Sequence, residues 1–182
     1  MAKFLSFYNR SLNARPLLTK SISTFCTVGL GDALSQYIES KIHNRPFIQN
    51  FDFTRYLKLS LFGGFYLGPI LHNWYGLLAV LFPQKGVVST VKKVFLDQTL
   101  FSSFVICSFF TAVPLMNNAG LSAGVTKIKE DFWEALKMNW RIWPLAMVIN
   151  FNFVPLHFQV LFVNFVALFW NSYLSYVTNL KK

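Results

Sequence analysis

Charge is what this sequence has least of. Only 13% of its 182 residues are Asp, Glu, Lys or Arg, about half the share of an average soluble protein. A chain this short buries a smaller fraction of its surface than a long one and needs polar residues to cover the rest. The deficit therefore excludes an ordinary water-soluble domain. Acids are the scarcer sign, 7 against 17 basic residues, and they are scattered, with no paired arrangement for acid–base work. Cysteine is reduced to Cys26 and Cys107, in neither a C-x-x-C nor a zinc spacing. Both lie in apolar stretches, where buried free thiols are expected. There is no G-x-S-x-G elbow, no H-E-x-x-H and no P-loop. The sequence reads as a non-enzyme with no cofactor and no metal site. A hydrophobic content of 54%, without a heptad or Gly-X-Y period, also removes disorder, coiled coil and collagen.

The charge that exists is unevenly placed. No charged residue occurs from Leu59 to Gln84, from Gln98 to Thr126 or from Ile142 to Leu180, runs of 26, 29 and 39 residues. About 20 mostly apolar residues carry a helix across a bilayer core. The stretch from Leu17 to Ile38 is a fourth candidate, interrupted by Lys20 and Asp32. The expected fold is all-α, one integral membrane domain over residues 1–182. It is a bundle of about four transmembrane helices at 17–38, 59–82, 97–117 and 143–177, behind a basic N-terminal segment, 1–16. Pro155 lies in the last run. Lacking an amide hydrogen and clashing with the preceding turn, it should kink or divide that helix, leaving a first segment from Trp143 to about Val154.

A formal net charge of +10 raises the question of nucleic acid. The basic residues sit between the apolar blocks, however, and no zinc-finger, RNP or basic-zipper pattern accompanies them. Anionic lipid headgroups are the simpler partner. Four spans would place nine basic residues on one side and eight on the other, so the positive-inside rule does not orient the chain. Trp133, Trp140 and Trp143 stand at the entry to the last block and Trp170, Tyr173 and Tyr176 towards its end, as an interfacial belt requires. Trp74 lies too deep in its block for that belt. Near the start, Phe4, Leu5, Tyr8 and Leu12 recur at helical spacing among basic residues and no acids. A mitochondrial transit segment and a basic amphipathic entry helix both fit that pattern.

Polar side chains are costly in hydrocarbon, so those inside the spans are the candidate functional residues. Asp32 stands one turn before Gln36 on the same face. An ionised Asp at mid-membrane costs about 2.5–3.5 kcal/mol, so it must face a partner or a water-filled space, or be protonated. His72 fits either a titrating role or an interhelical hydrogen bond. Gly64 and Gly68 form a small-xxx-small pair for close helix packing. Asp97 and Gln98 stand at the start of the third expected span, where an acid complements a helix N-terminus or lines a mouth. Asn150, His157, Asn164 and Asn171 are seven apart. They drift only about 20° per heptad and would form one polar stripe, either lining a passage for small polar solutes or joining helices. Four helices enclose little space, which points to a homo-oligomer for any passage.

The ordered set Gly31-Asp32 with Gln36, Asp52 and Arg55, Gly68-Pro69 with His72 and Trp74-Tyr75, Asp97-Gln98, Trp143-Pro144, Asn150-Phe151, Val154-Pro155 and Trp170-Asn171 with Tyr173-Leu174-Ser175 resembles one family. It contains the mitochondrial inner-membrane protein Mpv-seventeen and the peroxisomal membrane protein two. The resemblance implies a four-helix protein of the mitochondrial inner membrane or the peroxisomal membrane. It also implies the formation or regulation of small-solute channels, with links to mitochondrial DNA maintenance and reactive oxygen metabolism. Three positions depart from the family pattern: Met147 where Gln is common, Gln159 where Arg is common and Ser103 where Pro is common. Loss of the Arg puts an inherited anion preference in doubt.

Overall fold

The computed structural model describes the backbone from Ala2 to Leu180 and side chains from Ser6 to Asn171. The expectations for Phe4, Leu5, Tyr173 and Tyr176 as side chains lie outside those residues. Every regular element among the described residues is helical. In order these are α1 (Ala2–Ala14), α2 (Pro16–Ile42), α3 (Phe47–Asn50), α4 (Phe53–Leu61), a π turn (Phe62–Leu67), α5 (Gly68–Leu81), α6 (Val87–Leu96), a second π turn (Asp97–Phe101), α7 (Ser102–Met116), α8 (Gly120–Phe153), a 3-10 turn (Leu156–Phe158) and α9 (Gln159–Leu180).

Local chemistry explains the boundaries. Pro16 begins α2 at a position where its missing amide costs nothing. Asp52 caps α4, its Oδ1 accepting from the Arg55 amide at 2.9 Å. Asn118 adopts a left-handed φ of 58° and ends the rod before it. At Val154 the backbone is extended, as a residue preceding proline prefers, so α8 stops at Phe153. Pro155 therefore divides the last block. The helix before it starts at Gly120, well ahead of the expected Trp143, and passes through Pro144 without ending.

Burial is inverted relative to a soluble protein. Among the described residues, 15 buried side chains are polar or charged and 11 are apolar, while Leu30, Phe65, Val80, Phe95, Leu145 and Phe169 are among many large apolar groups facing out. An apolar exterior around a polar interior is what a bilayer solvent selects. Cys26 follows this rule: it is free but exposed, not buried as expected, because a thiol is a small apolar group and the exterior is where apolar groups go. The rod from Val87 to Met116 is by itself long and apolar enough to cross a membrane. The expected span at 17–38 falls within α2, and that at 59–82 matches the rod from α4 to α5 except for Phe82, one residue beyond its end. The chain is an all-α integral membrane protein.

Backbone contacts group the chain into two compact units, residues 1–77 with 156–182, and 78–155. In the first, α2 is the central helix. Rising numbers on α2 meet falling numbers on the α4–α5 rod, which is antiparallel to it: Ser21 lies against Gly68, Phe25 against Gly64 and Val28 against Gly63. On its other side α2 runs parallel to α9, with Thr24 opposite Asn164 and Gly31 opposite Leu168 and Asn171. In the second unit α8 runs antiparallel to the α6–α7 rod. Gly124 lies against Thr111, Asn139 reaches Gln98 and Ser102, and Asn152 accepts from the Thr90 hydroxyl at 2.7 Å.

Helix α1 is packed on α2. Leu12 and Tyr8 are buried, the Tyr8 hydroxyl is 3.0 Å from Ser23 Oγ, and its ring stacks on Phe158 with centroids 6.2 Å apart. Burial pushes the Tyr8 hydroxyl pKa up, with the Ser23 hydrogen bond opposing, so the phenol stays protonated at neutral pH.

Candidate functional site

The polar groups of the first unit form a line along α2. At one end, Asp32 is enclosed on α2, its side chain 2% exposed. Its Oδ1 lies 2.7 Å from Arg55 Nε and its Oδ2 accepts from Gln36 Nε2 at 2.7 Å. Gln36 in turn clasps the backbone of Asp52, accepting from its amide at 2.7 Å and donating to its carbonyl at 3.1 Å. The Arg55 guanidinium then reaches Glu39 with both terminal nitrogens, at 3.1 and 3.2 Å. A planar guanidinium suits such a fork, and bidentate geometry is the strong form of this pairing. Arg55 and Glu39 are 40% and 31% exposed, so the cluster is sealed at Asp32 and open at Glu39.

At the other end Lys20 is buried, and its Nζ lies 3.1 Å from His72 Nδ1 on α5. With Nζ protonated it has only donors, so Nδ1 would accept and a neutral ring would carry its proton on Nε2. From Lys20 to Glu39 is 19 residues, about 28 Å along a helix, close to the roughly 30 Å hydrocarbon core. The two charged clusters thus lie a membrane thickness apart on one helix. Between them Asn164 Nδ2 donates to Thr24 Oγ1 at 2.8 Å, both groups buried. Asn164→Leu is expected to lower stability by about 0.6–1.7 kcal/mol, the span measured for hydrogen bonds between membrane helices. Thermal unfolding in detergent checks this, and an unchanged midpoint would show that the bond contributes nothing.

The second unit holds its own cluster on the π turn. Gln98 Nε2 donates to Asp97 Oδ2 at 2.9 Å, Asn139 Nδ2 donates to Gln98 Oε1 at 3.2 Å, and the Trp140 indole N–H donates to the Gln98 carbonyl at 2.9 Å. Asp97 is not at a helix N-terminus, because the rod begins ten residues earlier at Val87. The macrodipole account of this acid falls with that observation. The wide turn that places Asp97 and Gln98 inward is a π turn, a feature that recurs at functional positions. Trp140 is held by the bond to Gln98 and is not only an interfacial ring.

The seven-spaced residues do not form one stripe. Asn150 is fully buried near the end of α8, 3.9 Å from Met147 Sδ. His157 is exposed in the 3-10 turn, its ring 4.4 Å from that of Phe158. Only Asn164 and Asn171 share a helix, the first buried and the second exposed. The break at Val154-Pro155 destroys the common phase on which the stripe depended.

Three groups carry more than their sequence signal indicated. Lys20 stands in the sequence as an interruption of the first span, and Glu39, just beyond it, carries no signal of its own. Arg55 had a local sign: an Asp three residues before an Arg at the start of an apolar run is the pattern of a capped helix entry. Gly29 and Gly63 join Gly64 and Gly68 in the close contact, with Gly29 against Ser60 and Tyr56.

These features define a class: a helical membrane protein with a small set of buried charged and amide side chains, several of them matched across helices. Its relatives make the assignment particular. Residues 114–175 match the family described as Mpv17 / PMP22. The chain is 35% identical over 178 residues to PXMP2/4 family protein 2 of Dictyostelium discoideum, covering 98% of this chain and 92% of the relative. It is 36% identical over 171 residues to Peroxisomal membrane protein 2 of Bos taurus, covering 94% and 87%. With Mitochondrial inner membrane protein Mpv17 of Xenopus laevis the identity is 32% over 179 residues, covering 98% and 99%. No solved structure matches. The chain belongs to the Mpv17 / PMP22 family and is an organelle membrane protein, with relatives named for both the peroxisomal and the mitochondrial inner membrane.

Proposed function

We propose that this protein forms or regulates a passage for small polar solutes across an organelle membrane. The observation that carries the reading is the line of buried polar groups along α2, from Lys20 through Thr24, Asp32 and Gln36 to Ser40, in a protein whose exterior is apolar. Ionisable groups inside a membrane protein mark solute pathways by default, since hydrocarbon selects against them. Four helices alone enclose little space, and a homo-oligomer supplies the remaining wall. Asp32 is committed to Arg55, so among the buried charges Lys20, with a neutral partner, is the better selectivity group.

A second reading has its own support: Asp32, Gln36, Asn164 and Gln98 all end on a neighbouring helix or segment, as in a non-conducting membrane organiser. Purified protein in a planar bilayer separates the two. Discrete conductance steps are expected, with Lys20→Met moving the reversal potential in a salt gradient towards cation preference. Silence across voltage and pH would leave the organiser reading. Steps with an unaltered reversal potential would remove Lys20 from the path.

A further inference from the structure

Lys20 is 4% exposed, and its one contact of hydrogen-bonding length to another side chain is His72 Nδ1. Among the described residues no carboxylate lies within ion-pair range of it; the ion pairs there join Arg55 to Asp32 and Glu39, and Lys127 to Asp131. A buried ammonium without a counter-charge is strongly unfavourable, and it must either lose its proton or be met by an anion; Arg55, by contrast, meets two carboxylates. Donors remain unused as well. An ammonium has three N–H groups and a neutral imidazole one. The Lys20–His72 contact uses one of these four, leaving two on Nζ and one on Nε2. The Ser21 hydroxyl lies beside the same helix one turn away, 3.2 Å from where a Cβ on Gly68 would stand. His72 is only half-buried, so the pair is approachable from its side.

We propose that Lys20 and His72 form a binding site for a phosphate-type oxyanion, which supplies the missing counter-charge. The ammonium provides the charge and two donors, the imidazole Nε2–H a third, and the Ser21 hydroxyl an adaptable fourth. The same chemistry is offered by free phosphate and by the phosphate of an anionic lipid headgroup. The site does not depend on conduction, since a membrane organiser would bind the group equally well.

The test uses full-length protein in phosphatidylcholine nanodiscs, with unfolding temperature as the readout. Inorganic phosphate at about 100 times its Kd is expected to raise the midpoint by about 5–10 °C. If a headgroup is the occupant, free phosphate has no effect and replacing part of the lipid with phosphatidic acid gives the rise. Lys20→Met, which removes the uncompensated charge, is expected to fold at least as well without anion and to lose the rise in both arms. His72→Gln should weaken it several-fold, because Gln keeps a donor but not the ring geometry. Arg15→Gln, an exposed basic residue outside the site, should leave it intact. No rise in either arm, or an equal rise in Lys20→Met, overturns the proposal. Conductance is not measured, so this failure is distinct from that of the channel reading.

Discussion

Arg55→Gln is expected to destabilise the protein by about 3 kcal/mol, the lower end of the cost of breaking a buried ion pair from one side. The loss comes mainly from Asp32. Its carboxylate is enclosed and keeps only Gln36 once the guanidinium is gone. Glu39 also loses its forked partner, but it is partly exposed and can be solvated at the membrane edge. Asp32→Asn should cost about half as much, because Arg55 retains Glu39 and the new amide is neutral. The combination is the discriminating measurement. If the orphaned carboxylate dominates, Arg55→Gln with Asp32→Asn should be more stable than Arg55→Gln alone, a coupling well beyond the few tenths of a kcal/mol seen for independent sites. Unfolding midpoints in detergent for the four proteins give the cycle. Strictly additive losses would mean that the two side chains do not depend on each other.

Gly68→Leu is the second large effect. A Cβ at Gly68 would stand 2.8 Å from the backbone Cα of Ser21, and a backbone atom cannot rotate away as a side chain can. The corresponding distances are 2.8 Å from Phe25 Cβ at Gly64 and 2.9 Å from Val28 Cβ at Gly63. Three glycines thus let the α4–α5 rod lie directly on α2, the arrangement that small residues permit between membrane helices. Overpacking costs about 1–3 kcal/mol in a core that can adjust, and Gly68→Leu should reach or exceed the upper figure because the whole rod must move. The same displacement separates Lys20 from His72. Gly76 is the internal control: nothing lies within 4 Å of its Cβ position. Gly76→Ala should be neutral or stabilising by about 0.5–1 kcal/mol, since glycine within a helix is the costlier residue. Equal effects at the two positions would show that α2 and α5 are not in close contact.

Some of this is legible in the sequence alone, for physical reasons that differ by residue. The apolar blocks are visible because a bilayer imposes a minimum length of uncharged sequence, and the division at Pro155 because a missing amide and a steric clash are properties of the residue itself. Gly64 and Gly68 were readable because small-residue spacing is one helical turn. Asp32 was legible as a problem, a carboxylate requiring a partner, but not as a solution. Arg55 lies 23 residues away, outside the span, and only the antiparallel packing of α4 on α2 brings it to 2.7 Å. The polar stripe failed for the complementary reason. Seven-residue spacing keeps a common face only while the helix is continuous, and the extended backbone at Val154 resets the phase. Asp97 misled in the same way: an acid directly before a long uncharged run resembles a helix start, but Val87–Leu96 is already helical.

The sequence by itself determined the solvent, the helical class and the stretches able to lie in lipid, because those follow from composition and from local spacing along the chain. Only the tertiary structure decided what the buried polar residues face. Arg55 satisfies Asp32 and Asn164 meets Thr24, while Lys20 is left with a histidine and no counter-charge, since each of these depends on which helices lie side by side and in which direction.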